Sequence, residues 1–435
     1  MGAALWQCLC VSRPVWRQTD FALLWSGQTV SEVGSAVTTL ALPTLAIFSF
    51  RAGPAAIGLL VASGRAPFPL VALFAGGVVD RVRRRPVMIV CNVARLAILG
   101  CIPLLSATGT LQLWEIFAAA ASMGVFTVFF DIAYMAYMPS LVGRDQLLEA
   151  NSRLQSTWSG AQLVGPGLGG VLVQAVGAAR AVLVDALSFL VSTVALLFIR
   201  HREPPTSRRG RGRLVAEISE GLRHVFGIPV LRAQLLCMSA AIIFAHAYEA
   251  PLYVFAFGRL HLSPGLLGAL LASQGLGALV GSVVGARIIA AAGVGRTVAL
   301  GNGAAIALIA LIPLAVNVPP VALLLPVFII GGTLGTAGDI AQVTLRQAMS
   351  QPHLLGRMSA VFRTFFWGAW PLGNLLGGLL AAAIGASTTI WTTALVGALL
   401  FAGIRFTPLW RVRDFPAASR ADVDPPTPAA PSMAR

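Results

Sequence analysis

Long apolar runs, interrupted by short clusters of arginine, glycine and proline, dominate the pattern of hydrophobic and polar positions along the chain. Most runs are about 20 to 28 residues long, and a helix needs roughly 20 apolar residues to cross the ~30 Å hydrocarbon core of a bilayer. The pattern therefore predicts an all-α integral membrane protein with twelve transmembrane helices in two six-helix bundles. The predicted spans are residues 21–48, 55–79, 87–107, 112–139, 153–176, 180–199, 231–257, 265–290, 296–316, 320–346, 358–384 and 387–407.

The composition agrees with lipid as the main solvent. The 435 residues are 57% hydrophobic and 11% charged, whereas a soluble domain carries roughly 25% charged residues, so a soluble enzyme is excluded. The net charge of +15 comes from arginines in short segments between the apolar runs. Because they form no single basic face, we expect a lipid bilayer and no nucleic acid as partner. No Cys/His spacing predicts a metal site, and no motif predicts a cofactor.

The arginines lie almost entirely in every second loop, which predicts the orientation. They cluster in five segments, at residues 81–85, 144–153, 200–223, 357 and 411–413. Arg51, Arg180 and Arg259 are exceptions on the other side. Since positive charge is retained in the cytoplasm, we predict a multi-pass protein of the cell (plasma or inner) membrane with both termini cytoplasmic.

Four regions follow from this pattern: an N-terminal bundle (1–199), a cytoplasmic linker (200–230), a C-terminal bundle (231–410) and a disordered cytoplasmic tail (411–435). Within the linker, Leu214, Ile218, Leu222 and Phe226 share one face at helical spacing. This favours an amphipathic helix on the inner leaflet, and a helix packed against the spans is the alternative.

An internal repeat relates the two groups of six spans. Span five contains Gly-Pro-Gly-Leu-Gly-Gly at residues 165–170, and span eleven contains Pro-Leu-Gly-Asn-Leu-Leu-Gly-Gly at residues 371–378, roughly 205 residues later. Both segments lie in the fifth helix of their half. This offset is typical of two tandem six-helix bundles related by an axis along the membrane normal.

The loop after span two carries a family signature. Residues 76–86, GGVVDRVRRRP, resemble the major facilitator superfamily motif, in which a glycine, an aspartate four residues on and an arginine-rich turn join helices two and three. Arg83 departs from it, because many members have glycine there. Residues 165–170 resemble the superfamily's antiporter motif, which is associated with exporters.

Further stretches are similar to the macrolide-efflux-like branch of the drug:proton antiporters, which also includes siderophore exporters. Together the resemblance covers roughly residues 18–408, and it implies the major facilitator fold. The stretches are residues 139–142, 149–152, 356–360 and 367–373.

The aspartate and arginines after span two are candidates for a conformational latch. A carboxylate beside several guanidiniums can form charge-assisted hydrogen bonds that close one face of the bundle in one state. The alternative is that the arginines only enforce topology. The resemblance implies partners at the ends of helices four and eleven, where Asp131 is available. The latch candidates are Gly76, Asp80, Arg81, Arg84, Arg85 and Asp131.

The glycine-rich run of span five is a candidate hinge and seal. Small residues let helices approach closely, and the proline kinks the helix. Generic tight packing is compatible with the same role. The residues are Gly165, Pro166, Gly169 and Gly170.

Acids inside the spans are the candidates for proton coupling. An ionised carboxylate in hydrocarbon is costly, so it faces a cavity or a partner, or takes up a proton. Glu32 lies about eleven residues into span one and therefore near the midplane. Glu249 and Asp339 are the next candidates, whereas Asp185 is placed near a lipid interface.

Polar and aromatic residues in the spans are candidates for the cavity wall. Arg65 and Arg95 are expected to pair with an acid, and a substrate contact is the alternative for each of them. His246 is either a satisfied polar residue or a proton relay. The resemblance implies that helices one, four, seven and ten line the cavity, which favours Tyr134, Tyr137, Tyr248 and Tyr253.

The resemblance and the residues together predict a secondary transporter that exports amphipathic organic molecules, such as a macrolide antibiotic, by proton antiport with alternating access. Export of a siderophore or other self-made metabolite is the alternative, and an uptake permease is disfavoured by the exporter motif. A membrane enzyme or a receptor lacks support, since no catalytic motif and no large soluble segment is present. We expect a monomer whose partners are the small-molecule substrate and protons.

Overall fold

The computed structural model describes residues 15–79, 81–143, 146–201, 203, 211–351 and 354–415, and in these residues every regular element is helical. Within this described part of the chain, eleven helices or helix pairs are long and apolar enough to span a membrane. The twelfth, Leu147–Val176, has 30 residues and a polar first half that includes Glu149, Asn151 and Arg153. The twelve spans form two six-helix bundles, which confirms the predicted fold class.

The spans of the first half are Thr19–Phe50, the pair Pro54–Arg65 and Pro67–Val79, Arg84–Thr108, Leu113–Leu141, Leu147–Val176 and Ala178–Phe198. Those of the second half are the pair Pro229–His246 and Glu249–Gly258, Pro264–Ala292, Val294–Ile309 with the 3₁₀ turn Ile312–Val316, Pro320–Ala348, Leu355–Ile384 and Ala386–Gly403. Span five begins at Leu147, before the predicted residue 153, because its polar first turns line an internal cavity.

Two spans are interrupted near their middle. Span two breaks at Ala66 and span seven breaks at Ala247–Tyr248. A proline removes the amide that would bond to the carbonyl four residues earlier and crowds that carbonyl. Pro69 and Pro251 stand four residues after Arg65 and Ala247, which accounts for the position of each break.

Helix packing follows the same order in both halves. Span one packs on spans five and six, and span seven packs on spans eleven and twelve. Spans three and four pack on each other, as do spans nine and ten. Between the halves, span two lies against span eleven and span five lies against span eight. Spans two and eight are equivalent in the repeat, as are spans five and eleven. The contact of span five with span eight is therefore the repeat-related copy of the contact of span two with span eleven, as expected for tandem repeats.

The halves are joined at one end of the molecule and separate at the other. We call the end at which spans two, four, six and ten finish and spans three, five, seven and eleven begin the arginine-rich end. Towards the opposite end, one apolar cluster draws on both halves, for example through Leu45, Ile57, Tyr253 and Leu267. At the arginine-rich end each half has apolar clusters of its own.

The linker contains a helix, Arg211–Gly227, that packs against the second half. Glu220 forms an ion pair with Arg357 at the start of span eleven, and His224 Nε2 lies 3.1 Å from Ser350 Oγ. Val225 is fully buried against spans seven and eleven. Of the two interpretations, packing against the spans is therefore observed for residues 219–227. The side chains of Leu214 and Ile218, and the predicted tail beyond residue 415, lie outside the described part of the chain.

Candidate functional site

A cavity of 1140 Å³ lies between the two halves. It reaches the arginine-rich ends of spans four and five at Met138, Leu147 and Asn151. In the other direction it ends at Leu42 and Leu60, where the shared apolar cluster begins. The cavity is therefore accessible from the arginine-rich end and closed towards the opposite end. Seven of the predicted site residues line it: Glu32, Arg65, Asp131, Tyr134, Tyr248, Glu249 and Tyr253.

The wall supplied by the first half carries a charged group that we call the N-terminal cluster, which consists of Glu32, Arg95, Asp131 and Asp185. Within the described residues, Glu32 has one hydrogen bond, from Gln28 Nε2 at 2.8 Å. The Arg95 guanidinium is held between aromatic rings, 4.3 Å from the Phe130 centroid and 4.9 Å from that of Phe189. The charges of the three acids act on it.

Asp185 has a different environment from the one predicted. It is fully buried between spans one and six, although the sequence pattern placed it near a lipid interface. Thr38 Oγ1 donates to its carboxylate at 2.5 Å, Ser188 Oγ at 3.2 Å and Ser35 Oγ at 3.3 Å. This set of hydroxyl donors satisfies a carboxylate without an ion pair.

The other wall carries a second group, the bridging cluster, made of Arg65, His246, Glu249 and Trp370. His246 Nδ1 lies 2.7 Å from Glu249 Oε1, and Trp370 Nε1 donates to Glu249 Oε2 at 3.1 Å. The imidazole stacks on the Trp370 ring with centroids 4.1 Å apart. The Arg65 guanidinium of span two lies 3.6 Å from the same indole centroid. The cluster thereby connects span two of one half to spans seven and eleven of the other.

Helix breaks position this second cluster. Arg65 ends the first segment of span two, and His246 and Glu249 flank the interruption of span seven. Sequence reasoning placed His246 one turn before Glu249 and expected Arg65 to pair with an acid, but it missed Trp370. It also missed Arg363, whose guanidinium lies 5.3 Å from the Phe68 ring and 5.2 Å from the Trp367 ring at the cavity edge. An arginine inside a predicted span was the signal that could have identified it.

Two glycine pairs bring the halves into backbone contact. Gly58 of span two faces Gly378 of span eleven, and Gly170 of span five faces Gly268 of span eight. A Cβ on Gly378 would lie 2.7 Å from the Gly58 Cα, and a Cβ on Gly170 would lie 3.0 Å from the Gly268 Cα. Such separations leave no room for a side chain on either helix.

The glycine pairs are related by the internal repeat. Gly58 and Gly268 are roughly 210 positions apart, as are Gly170 and Gly378, and each follows a proline that begins or kinks its helix. Within span five, Gly165 faces Ala36 and Gly169 faces Val37 of span one. The antiporter-like run 165–170 therefore lies between span one of its own half and span eight of the other.

The arginines after span two contact their own half and the linker. The Arg84 and Arg85 amides donate to Glu203 at 2.8 and 2.7 Å. Arg85 Nε and Nη2 donate to the Leu196 and Leu197 carbonyls at the end of span six, both at 2.8 Å. Asp80 lies outside the described residues, Arg81 is exposed, and no atom lies within 4 Å of a Cβ placed on Gly76.

Two predicted assignments are wrong in this structure. Asp131 was paired with the arginines after span two, but it faces the cavity about ten residues, or ~15 Å, from the arginine-rich end of span four. Tyr137 was placed on the cavity wall, but it is fully buried in the apolar cluster of the first half, with its ring 6.2 Å from His201. The cavity-facing side of span four carries Asp131, Tyr134 and Met138 instead.

Asp339 of span ten is not part of the cavity wall, and this residue is exposed on the second half. Gln342 Nε2 donates to its Oδ1 at 2.7 Å, and the Gln342 carbonyl accepts from Gln234 Nε2 at 3.0 Å. Asp131 and Asp339 are roughly 210 positions apart and so occupy related places in the repeat. The same repeated position thus faces the cavity in the first half and is exposed outside the cavity wall in the second.

Comparison with known proteins agrees with this architecture. Residues 13–431 match the family described as transmembrane secretion effector. The chain is 27% identical over 411 residues to the multidrug efflux pump Tap of Mycolicibacterium fortuitum, covering 92% of this chain and 97% of the pump. It is 27% identical over 349 residues to the enterobactin exporter EntS of Escherichia coli, covering 75% of each.

Solved transporter structures share the fold. The nucleoside transporter NupG superposes with a TM-score of 0.69 at 10% identity, over 90% of this chain and 99% of that chain. A bacterial homologue of the human lysosomal transporter Spinster superposes with a TM-score of 0.66 at 14% identity, over 92% and 97%.

Proposed function

The chain belongs to the transmembrane secretion effectors of the major facilitator superfamily, and from this premise we propose that it exports amphipathic organic molecules in exchange for protons. It is a multi-pass efflux transporter and not an enzyme. We place it in the cell membrane as a monomer, with the arginine-rich end and both termini in the cytoplasm, because positive charge is retained on that side.

The observation that carries the proposal is the position of Glu32. Its carboxylate lies in the wall of a cavity that both halves share, with Gln28 as its hydrogen-bond partner among the described residues. A carboxylate there can hold either a proton or the positive end of a substrate, but not both. Binding of substrate then releases the proton, which is the exchange an antiporter needs.

The two glycine pairs and the bridging cluster are the contacts between the halves on which the transport motion depends. The glycine pairs close the end opposite the arginine-rich end, and Arg65 on Trp370 connects the halves beside the cavity. Alternating access requires the contact of Arg65 with Trp370 and the shared apolar packing at this end to open as the arginine-rich end closes, with the glycine pairs as the pivot. Because the glycine pairs bring backbone against backbone, the halves can rock about these contacts as rigid bodies. We assign residues 165–170 this hinge role.

The arginines after span two hold the resting arrangement of the arginine-rich end. Arg85 binds the last carbonyls of span six, where a cation is favoured by the helix dipole. Glu203 binds the first amides of span three. These contacts connect the linker to the first half, and Glu220 connects it to the second half. We retain Asp80, Arg81, Arg84 and Arg85 as the group that would rearrange during transport.

Substrate accumulation in a host that lacks its own efflux pumps tests the proposal. Expression of the chain should lower the accumulation of an amphipathic drug such as a macrolide, and an uncoupler should restore it. Lower accumulation that persists with the uncoupler would remove proton exchange from the proposal.

A second substrate class is favoured by similarity to the enterobactin exporter of Escherichia coli. The same cells, supplied with a catecholate siderophore in place of the drug, test it. Export of the siderophore without export of any amphipathic drug would make a self-made metabolite the substrate. Uptake of either compound would contradict an exporter.

A further inference from the structure

Of the eleven described residues that bury a polar side-chain atom without a hydrogen-bond partner, three lie in the cavity wall of the first half. The Arg95 side chain is 5% exposed, and its Nε and Nη2 atoms have no hydrogen-bond partner among the described residues. The Tyr134 hydroxyl and Gln28 Oε1 share this property, and all three residues line the cavity. Nearly all buried polar groups in proteins are hydrogen bonded, and these three, unlike the other eight residues, line a cavity in which a ligand can supply the missing partners.

The Arg95 guanidinium is fixed in place without use of its donors. Phe130 and Phe189 hold it through their ring faces, which leaves its N–H groups available. Within the described part of the chain, no acid lies within ion-pair distance of it. Asp185, whose charge acts on Arg95, already accepts from three hydroxyls. Pairing with Asp185 therefore does not account for the position of Arg95.

Carboxylates that can bind a ligand cation lie beside these donors. Asp131 accepts no hydrogen bond from another described side chain, and Glu32 accepts one from Gln28. Three carboxylates of the N-terminal cluster face a single guanidinium, so the local charge favours a cation over an anion. Across the cavity, Phe68, Trp367 and Trp370 offer an aromatic surface for an apolar body.

We propose that Glu32, Arg95, Asp131 and Tyr134 form a polar subsite for a protonated amine that carries an oxygen on the carbon beta to its nitrogen. The ammonium group binds the carboxylates of Glu32 and Asp131. The neighbouring hydroxyl or ether oxygen accepts from Arg95 and Tyr134. This inference rests on the proposed export function and specifies the substrate class of the same cavity. Arg95 then recognises an oxygen of the substrate and does not serve only to neutralise the charge of the neighbouring acids.

A matched pair of ligands tests the subsite on the purified full-length protein. The pair is a naphthyloxypropylamine and the same amine with a hydroxyl group on the beta carbon, and a naphthyloxy carboxylic acid is the third probe. Equilibrium binding is measured for the wild type, Arg95→Met, Arg95→Lys and Tyr134→Phe. Gln112→Ala, at the end opposite the arginine-rich end and outside the cavity, is the control.

The wild type should bind the hydroxylated amine about tenfold more tightly than the plain amine, the effect of one additional hydrogen bond to a charged donor. Arg95→Met should reduce this ratio to about one while retaining the plain amine, because the carboxylates remain. Tyr134→Phe should lower the ratio in part, and Arg95→Lys, which keeps a charge and a donor, should retain part of it. If Arg95→Met does not fold, the other two variants give the answer.

Equal affinity of the wild type for the two amines would overturn the proposal, as would tighter binding of the carboxylic acid. An unchanged ratio in both Arg95→Met and Tyr134→Phe would do the same. The assay needs no proton gradient, so it separates this inference from proton exchange. Discrimination between the amines without proton-coupled flux would leave the subsite intact and contradict the proposed function.

Discussion

Gly170 of span five and Gly268 of span eight face each other so closely that a Cβ on Gly268 would lie 2.9 Å from the Gly170 Cα. The repeat-related pair, Gly58 and Gly378, makes the same contact on the other side of the molecule. These two pairs hold the halves together next to the closed end of the cavity. The backbone contact depends on the absence of four side chains.

A side chain added at one of these glycine pairs should open the closed end of the cavity. In Gly170→Val the added atoms meet the Pro264 carbonyl and the Gly268 Cα, at a cost of about 1–3 kcal/mol. We expect efflux to fall and a cysteine placed at Leu45 to become reactive towards a water-soluble maleimide. Gly100→Val is the matched control, since a Cβ at Gly100 has no atom within 4 Å. An unreactive cysteine in Gly170→Val would argue that the glycine pair does not keep this end of the cavity closed.

Loss of one donor in the bridging cluster should shift the balance between conformations. Trp370→Phe retains a ring for Arg65 and His246 but removes the hydrogen bond to Glu249. A hydrogen bond to a charged group contributes about 1.5–3 kcal/mol, so the ratio of the two conformations should move by about tenfold or more. Distances between spin labels at the arginine-rich end measure this ratio.

Trp114→Phe is the control for that experiment, because the Trp114 indole bonds only to the nearby Gln112 within the described residues. Identical distance distributions in the wild type and Trp370→Phe would show that the bridging cluster does not bias the conformation.

The charge and the geometry of Arg85 can be separated by one substitution. Arg85→Lys keeps the positive charge and loses the paired donation to the Leu196 and Leu197 carbonyls. We expect unchanged topology and a midpoint of thermal unfolding lower by a few degrees, because lysine lacks the guanidinium fork. Arg83→Lys is the control, since Arg83 is exposed. Equal midpoints for the two variants would mean that these arginines act through charge alone.

Much of the fold was predictable because hydrophobic length is a local property. The spans, the two halves and the repeated glycine segments all follow from runs that a helix must bury in lipid. The start of span five was misplaced because its polar first turns face a water-accessible cavity. That cavity forms only when both halves are assembled, and no local pattern records it.

The site was predictable residue by residue but not as an arrangement. Glu32 and Glu249 were selected because an ionised carboxylate within a span is costly unless it faces a cavity or a partner, or takes up a proton. Tyr134 and Tyr137 differ by less than one helical turn, and the sequence alone did not show which of them faces the cavity. Trp370 was missed because its role depends on contacts with Arg65 of another half, across a helix break.

The central claim is that Glu32 exchanges a proton for substrate, and proton movement in proteoliposomes tests it most directly. With an imposed substrate gradient and no pH gradient, the wild type should move protons opposite to the substrate, as reported by a pH-sensitive dye in the lumen. Glu32→Gln should move substrate down its own gradient without moving protons, and efflux driven by a pH gradient should be lost. Glu115→Gln, the same substitution in a helix cap outside the cavity, should behave like the wild type. Proton movement by Glu32→Gln at the wild-type ratio to substrate would contradict the account.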